Sequence, residues 1–389
     1  MKNENDPILV LQVFSVLDMG GAESRIMDLA GNLDPSRVRY AFLLHNRDED
    51  YSKDFYEEEA VRLGCPVYRL PRYKIYNGRA YRKAVREFFK EHPEIDIVQG
   101  HMTSVASIYL PIAKETIGAV TIAHARSAGV DPGLKGKLTK FLRRNLKKRC
   151  DHCWACSTEA ADALYGEDAR KNGQVRIIPN AIRVADFAPV EKQIKKGSEI
   201  RSAYGLDGKF VVGHIGRFHY AKNHEFLVDI FAEILKVKKD AALLLVGDGD
   251  LKKETEEKVK ALHLEDKVIF AGRQSNPADF YHAMDLLIFP SRYEGLPGTI
   301  VESQAAALPA LVSDAVTKDV AVTEYVRYCS LQKNAAEWAG EALGFYEERS
   351  RKTEGARETA KQLKEAGFDV ESQARMLEEL YKSLLEENG

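Results

Sequence analysis

Residues Leu286 to Glu302 read LLIFPSRYEGLPGTIVE. The apolar run Leu286-Leu287-Ile288-Phe289, closed by Pro290, reads as a strand buried on both faces. Thr299 to Ala307 is compatible with a helix, and Gly295, Pro297 and Gly298 break the chain between the two. Glu294 is therefore expected on a strand-to-helix loop and Glu302 about one turn inside the helix. The first N–H groups of that helix have no partner within it, which suits a phosphate. A carboxylate on either side suits hydroxyl groups. A nucleotide-sugar has that shape.

The same alternation runs outward through the whole chain. Strands are expected at Ile8–Ser15, Tyr40–Leu44, Val67–Leu70, Asp96–Gln99, Ala119–His124 and His152–Ser157, with helices at Ala22–Leu33, Glu57–Leu63 and Arg79–Lys90. Val184–Ser198 is polar and reads as a linker. Beyond it the pattern restarts, with strands at Phe210–Ile215, Ala241–Val246, Val268–Ala271, Leu286–Pro290 and Ala310–Val312. Helices are expected at Asn223–Lys236 and Leu251–Leu262. The α/β alternation implies two doubly wound parallel sheets, residues 1–190 and 191–369, with a ligand cleft between them at strand C-terminal ends. A last helix, Val370–Leu385, places apolar residues at 376, 377, 380, 381, 384 and 385.

The composition, 44% apolar and 30% charged over 389 residues, is that of a soluble globular protein. No apolar run reaches the length of a membrane span. The opening MKNENDPILVLQVFSV reads as a first strand and not as a signal peptide, so a cytoplasmic location is expected. Five cysteines, at 65, 150, 153, 156 and 329, fit reduced thiols. Cys150, Cys153 and Cys156 form a C-x-x-C-x-x-C run, but nothing nearby completes a metal site, and CDHCWACS reads as a buried strand ending in a serine.

The net charge of −2 is unevenly spread. Residues 1–190 hold 29 Lys and Arg against 25 Asp and Glu, whereas the remainder holds 28 against 34. The excess lies in Lys135–Arg149, KGKLTKFLRRNLKKR, with Leu138, Phe141, Leu142 and Leu146 at helical spacing. Two readings stand: docking on the anionic inner face of a membrane, or a helix packing its apolar stripe on the core with its charges solvated.

Two further loops suit a phosphate. Gly20 and Gly21 follow the first strand and open a helix, where bare backbone approaches a ligand closely. Gly216 and Arg217 end the strand at Phe210–Ile215, with Lys222 five residues on. Two cations there neutralise a diphosphate without a metal. Gly247-Asp248-Gly249 has the look of a dinucleotide loop but lacks the third glycine and the distal acid, so it reads as a turn at the cleft wall.

Together these residues resemble the retaining GT-B glycosyltransferases of the "glycosyl transferases group 1" type. The marks are Gly20-Gly21-Ala22-Glu23, His124, Ile178-Pro179-Asn180, Gly216-Arg217 with Lys222-Asn223, Val246-Gly247-Asp248-Gly249, Phe270-Ala271-Gly272, and Pro290 to Pro297. The family's two glutamates eight apart are Glu294 and Glu302. The resemblance implies a GT-B fold of two Rossmann-like domains, the first on the acceptor side and the second binding the nucleotide-sugar. The helix at 370–389 would return to the first domain.

The resemblance also implies roles. Arg217 and Lys222 grip the diphosphate, the Gly21 N–H reaches its distal phosphate, and N–H groups near Thr299 and Ile300 cap it. Glu302 takes the ribose, Glu294 the transferred sugar, and Arg273-Gln274 the base. Gly20, Gly216, Gly295, Leu296 and Gly298 complete the donor site, and His124 lies near sugar and acceptor. No metal, no cofactor beyond the donor and no nucleic-acid partner is expected. The activity implied is metal-independent, retaining transfer from a nucleotide-sugar, with UDP-sugar as donor, to a glycan or lipid-linked acceptor.

Two segments depart from the pattern common in the family: Asn180-Ala181-Ile182-Arg183, and Asp314 to Asp319 in place of a Gly-Gly-x-x-Glu segment. The latter resembles the subset that builds capsular and extracellular polysaccharides. A non-hydrolysing nucleotide-sugar 2-epimerase and a non-catalytic nucleotide-sugar-binding protein are the alternative readings on the same fold.

Overall fold

Ala241–Val246 is apolar throughout, and every one of its residues is buried. A strand without a solvent face must lie inside a parallel sheet covered by helices on both sides. The structure, a computed structural model, describes residues 6–18, 20–46, 54–129, 134–274, 276–350 and 356–388. Two compact units result: Met1–Ala181 with Val370–Gly389, and Ile182–Asp369. The boundary expected between 190 and 191 lies nine residues beyond this division.

Unit 1 carries β1 (Ile8–Phe14), β2 (Val38–Leu44), β3 (Val67–Arg69), β4 (Ile97–Gly100), β5 (Val120–Ala125), β6 (His152–Ala155) and β7 (Val175–Ile177). They form one sheet in the order β3-β2-β1-β4-β5-β6-β7, and every pair is parallel. Unit 2 carries β8 (Phe210–Ile215), β9 (Ala241–Val246), β10 (Val268–Gly272), β11 (Leu286–Phe289), β12 (Ala310–Ser313) and β13 (Val326–Cys329). Their order is β10-β9-β8-β11-β12-β13, again parallel throughout. In each sheet the winding reverses beside its first strand, between β1 and β4 and between β8 and β11. Ligands of doubly wound folds bind outside the strand C-termini at that reversal.

The Val370–Asn388 helix packs into the unit 1 core through Val370, Ala374, Leu377, Tyr381 and Leu384. Polar bonds fix its register: Arg37 donates to Glu378 at 2.9 Å, and Gln373 Nε2 donates to the Pro179 carbonyl at 2.8 Å. Met376, expected on the apolar face, is 40% exposed. The buried stripe follows 370, 374, 377, 381 and 384, and position 376 falls off it.

Two sequence expectations are corrected. Val184–Ser198 is no linker: it folds as helices Val184–Phe187 and Glu191–Ala203. Its charges are those of a helix surface, and the second helix is anchored by Arg201 to Asp285 at 2.8 Å. The basic segment is not one helix either. It is a helix at Leu134–Arg143 and a 3-10 turn at Leu146–Lys148, separated at Asn145 with φ 67°. Leu146 is buried, whereas Phe141 is 70% exposed. The side chains of Lys135, Leu138 and Lys140 lie outside the described residues.

The cysteines are free thiols. Within CDHCWACS the strand is His152–Ala155, shorter than expected, and Ser157 lies two residues beyond it as the cap of the Thr158–Tyr165 helix, accepting from the Ala160 N–H at 3.1 Å. Among the described residues no cluster of His, Cys, Asp and Glu is placed to hold a metal ion, and no helix is long and apolar enough to cross a membrane.

Candidate functional site

The loops leaving β8 and β11 are stitched together at the unit 2 reversal. After β8 the chain makes a 3-10 turn, Tyr220–Lys222, and leaves it through Asn223 in the left-handed region, φ 58°. Asparagine tolerates that conformation better than most residues. Its Nδ2 donates to the Pro290 carbonyl at the end of β11, 3.1 Å away. The Arg292 backbone N–H donates to the Ala221 carbonyl and its Nη1 to that of Tyr220, each at 2.7 Å. The guanidinium also covers the Tyr220 ring. From the next helix, Gly298–Ala305, Thr299 Oγ1 donates to the Ile215 carbonyl at 3.3 Å.

This stitching brings Lys222 and Glu294 together. Nζ lies 2.8 Å from Glu294 Oε1, with the side chains 17% and 14% exposed. The contact is a close ion pair without the alignment of a hydrogen bond. The same ammonium sits 4.5 Å above the centroid of Phe289. Arg217 stands on the same loop as Lys222, just after β8, and is exposed.

The turn Gly247–Gly249 has a physical reason for its glycines that the sequence reading lacked. Gly247 and Gly249 have φ of 140° and 153°. A Cβ would lie 2.1 Å from the Gly216 carbonyl oxygen at the first and 2.5 Å from that of Phe218 at the second. The Phe218 N–H donates to the Asp248 carbonyl at 2.9 Å, and Leu251 N–H to that of Phe218 at 3.1 Å. The turn therefore presses backbone to backbone on Gly216–Phe218 and fixes the base of Arg217. Arg273, after β10, lies 3.8 Å from Asp248, and Gln274 donates to the Ala271 carbonyl at 2.6 Å.

Other expected donor residues are less open. Gly295 and Leu296 are buried, and Ile300 is fully so. The Ile300 N–H is taken by the Pro297 carbonyl at 3.1 Å, which leaves the N-terminal N–H groups at Gly298 and Thr299 for any anion. Glu302 is only 5% exposed, and its Oε2 accepts from the Tyr281 hydroxyl at 2.5 Å.

In unit 1 the candidates lie on the loop after β1 and on β5. Gly20 precedes and Gly21 opens the Gly21–Ala30 helix, without a side-chain cap. A Cβ at Gly21 would meet nothing within 4 Å, whereas at Gly20 it would meet the Glu23 carboxylate. Met19 lies outside the described residues. His124 is not at the surface: it is 1% exposed, on β5, inside a buried polar network. The Tyr381 hydroxyl and Gln12 Nε2 both donate to Gln99 Oε1, at 2.6 and 3.3 Å. Gln99 Nε2 then donates to His124 Nδ1 at 2.9 Å, so the proton of the neutral ring sits on Nε2. His101 donates from Nε2 to Gln12 at 2.7 Å and accepts from Arg126 Nε at 3.0 Å. Burial, with the Arg126 charge adding to it, holds both imidazoles well below the usual histidine range.

Against known proteins, the chain is 30% identical over 379 residues to EpsF of Bacillus subtilis (strain 168), provisionally named a glycosyltransferase, with 96% of each chain covered. The chain belongs to the glycosyl transferases group 1 family. That family's model matches residues 197–386, and the model described as Glycosyltransferase Family 4 matches residues 19–186. The amylovoran biosynthesis glycosyltransferase AmsD of Erwinia amylovora is 37% identical over 103 residues, 26% of this chain and 29% of that one. Among solved structures, Anabaena Alr3699/HepE in complex with UDP and glucose superposes with a TM-score of 0.78 at 20% identity, covering 96% of this chain and 99% of that one. The fold is GT-B, and the chain is an enzyme, a glycosyltransferase.

The group 1 match contains every unit 2 residue of this candidate site. Tyr220 and Ala221, whose carbonyls take part in the stitching, carry only a generic signal in sequence. Two others, His214 and His224, did have one: a histidine inside the apolar strand VVGHI, and another opening a helix ten residues later.

Proposed function

We propose that this glycosyltransferase moves a sugar from a UDP-sugar, with retention of configuration and without a metal or other cofactor, to a glycan or lipid-linked acceptor in capsule or exopolysaccharide synthesis. The observation that carries the reading is the Lys222–Glu294 pair at the sheet reversal, beside Arg217 and the open end of the Gly298–Ala305 helix. Lys222 and Arg217 supply charge for a diphosphate, and the N–H groups of Gly298 and Thr299 add donors at a positive helix end. Glu294 is the acceptor for sugar hydroxyls, and Glu302 takes the ribose beside the Tyr281 hydroxyl. Arg273 and Gln274 serve the base. Gly20, Gly21, Gly216 and Gly295 offer backbone without a side chain in the way.

Catalysis on such a site is positioning plus stabilisation of the leaving diphosphate. The names of EpsF and AmsD, and the UDP and glucose in the HepE complex, support the substrate class and pathway. We assign the enzyme to the cytoplasm. Peripheral contact with the membrane's inner face is supported by the basic residues of 135–149 and the exposed Phe141.

A thermal-shift screen of nucleotide-sugars tests the donor, since a ligand at a hundred times its Kd adds about 2.7 kcal/mol to the native state. UDP-sugars raise the melting temperature most, turnover survives EDTA, and the product keeps the donor's anomeric configuration by NMR. Inversion, or loss of turnover in EDTA, rejects the corresponding part of the reading. Co-sedimentation with anionic vesicles, abolished by charge reversal at Lys147 and Lys148, tests the membrane contact.

A further inference from the structure

Below Lys222 lies a floor of aromatic rings that the roles above do not use. His214, on β8, is fully buried, and its Nδ1 donates to the Ile288 carbonyl of β11 at 2.9 Å. That bond places the proton on Nδ1 and leaves Nε2 as an acceptor, and Nε2 has no partner. Both Nε2 and the Lys222 stem border one small space. From the point where a Cβ on Gly216 would sit, His214 Nε2 is 3.1 Å away and Lys222 Cε 3.3 Å. His214 also stacks on Phe289, 5.4 Å between centroids at 21°, the ring that carries the Lys222 ammonium. On its other side stands His224, 4.7 Å away and edge-on, itself stacked on Phe218 at 4.1 Å.

The polar atoms around this floor are unusual in kind. His214 Nε2, Asn223 Oδ1, both nitrogens of His224, Ser291 Oγ and Glu294 Oε1 are all buried without a hydrogen bond. Native interiors leave few such atoms, and each calls for an explanation; two of them, His214 Nε2 and Glu294 Oε1, lie beside the Lys222 side chain. A lysine ammonium has three donors and is held here by one carboxylate. If Glu294 turns to the sugar of a bound donor, Lys222 loses that partner at the moment its charge is needed.

We propose that His214 is a positioning residue: its Nε2 lone pair is the acceptor that holds the Lys222 ammonium at the diphosphate once the donor has drawn Glu294 to its sugar. The inference rests on the reading that Lys222 meets the diphosphate and Glu294 the sugar. A phenyl ring in this place would keep the stacking and lose the acceptor. Gly216 serves the arrangement by leaving the shared space free of a side chain.

His214→Asn and His214→Gln separate the two nitrogens. An asparagine amide takes the place of Nδ1 and keeps the Ile288 bond, whereas a glutamine amide reaches the place of Nε2. Calorimetric titration with an intact UDP-sugar, and KM for the donor, should worsen about tenfold in His214→Asn, the effect of one lost hydrogen bond to a charged group. They should return to within about threefold of wild type in His214→Gln. In a Lys222→Ala background, His214→Asn should add nothing, because the two act as one unit.

UDP-sugar binding unchanged in His214→Asn, or equal loss in both variants in step with a lower melting temperature, overturns the proposal. So does a loss that adds in full to that of Lys222→Ala. If Lys222→Ala itself binds UDP like wild type, the diphosphate reading of Lys222 fails, a distinct result. The unaltered chain gives the same answer without a variant: the His214 15Nε2 resonance should move upfield on UDP-sugar binding, as a lone pair that accepts a hydrogen bond does. An unmoved resonance overturns the proposal.

Discussion

The Lys222 ammonium lies 2.8 Å from Glu294 Oε1, and both side chains are more than four-fifths buried. Removing one partner of such a pair leaves the other charge poorly solvated. Lys222→Met and Glu294→Met are each expected to cost ~2 kcal/mol of stability, below the range for fully buried pairs because some solvent reaches this one. The double variant should regain most of the lost melting temperature, since two methionines fill the space without charge. Sugar-nucleotide turnover should stay at least ~100-fold down in all three, the usual result of losing electrostatic stabilisation of a leaving group. Melting curves and turnover on the same preparations decide it. A double variant that recovers turnover with stability would make the pair a structural feature alone.

Glycine at two places tests fold and ligand separately. At Gly249 the φ of 153° is one that L side chains rarely adopt, and a Cβ would lie 2.5 Å from the Phe218 carbonyl oxygen. Gly249→Ala should lower stability by ~1–3 kcal/mol and weaken UDP binding, since the base of Arg217 must shift. At Gly21 a Cβ meets nothing within 4 Å, so Gly21→Ala, on a helix, should stabilise by ~0.5–1 kcal/mol. A fall in UDP-sugar affinity in Gly21→Ala, measured by titration calorimetry, would then belong to the ligand and not to the fold. Unchanged affinity would remove Gly21 from the donor site.

Most strands were legible as short, largely apolar runs, since a parallel sheet buries both faces. Phe210–Ile215 and Ala241–Val246 were read to the residue. The short β7 and β13 were not picked out, since three or four residues carry too little pattern to separate a strand from a loop. At 184–198 composition misled: a helix with one buried residue, Gly197, among charges looks like a linker until its Arg201–Asp285 anchor is seen. In the site, residue types at strand ends revealed Lys222, Glu294 and Arg217, because charge at a sheet reversal has a chemical meaning in sequence. Gly295, Leu296 and Ile300 bore the same family marks, yet all three are buried. Which face a loop residue presents is decided by contacts distant in sequence, such as Thr299 with Ile215.

The C-terminal helix contributes a hydroxyl to the centre of unit 1. Tyr381 donates to Gln99 Oε1 at 2.6 Å and lies 3.2 Å from the Tyr40 hydroxyl. Tyr381→Phe keeps the packing and leaves Tyr40 short of a partner, so ~1–3 kcal/mol should be lost, within the range for an unsatisfied buried polar group. Gln99→Leu removes the node that also orients His124, and should cost more. Chemical denaturation of the two variants checks the order. A Tyr381→Phe protein as stable as wild type would mean that the network contributes orientation and no stability.

Acid should unfold this protein through its buried imidazoles before its carboxylates. His45 accepts from the Tyr81 hydroxyl at Nε2, 2.8 Å, and directs Nδ1 at the Phe14 carbonyl, 3.3 Å. Burial pushes its pKa down to about 4, and it does the same to His214. His224 falls to about 2, and His101 and His124 lie well below the usual value. Between about 4 and the unfolded value of ~6.5, the unfolded chain binds these protons and the folded chain does not. Stability is therefore intact above pH 6.5 and falls as the pH drops through that window, by ~1.4 kcal/mol per pH unit for each histidine. Asp151 and Asp314, held below the usual carboxylate range, add their loss only at lower pH. Unfolding near pH 5 should take up about five protons from these five histidines, with a further share from His152 and His282, which burial also lowers, measured by calorimetry in buffers of different ionisation enthalpy. His45→Asn should lower that uptake by about one. An uptake unchanged by the substitution would show that His45 is protonated in the folded chain.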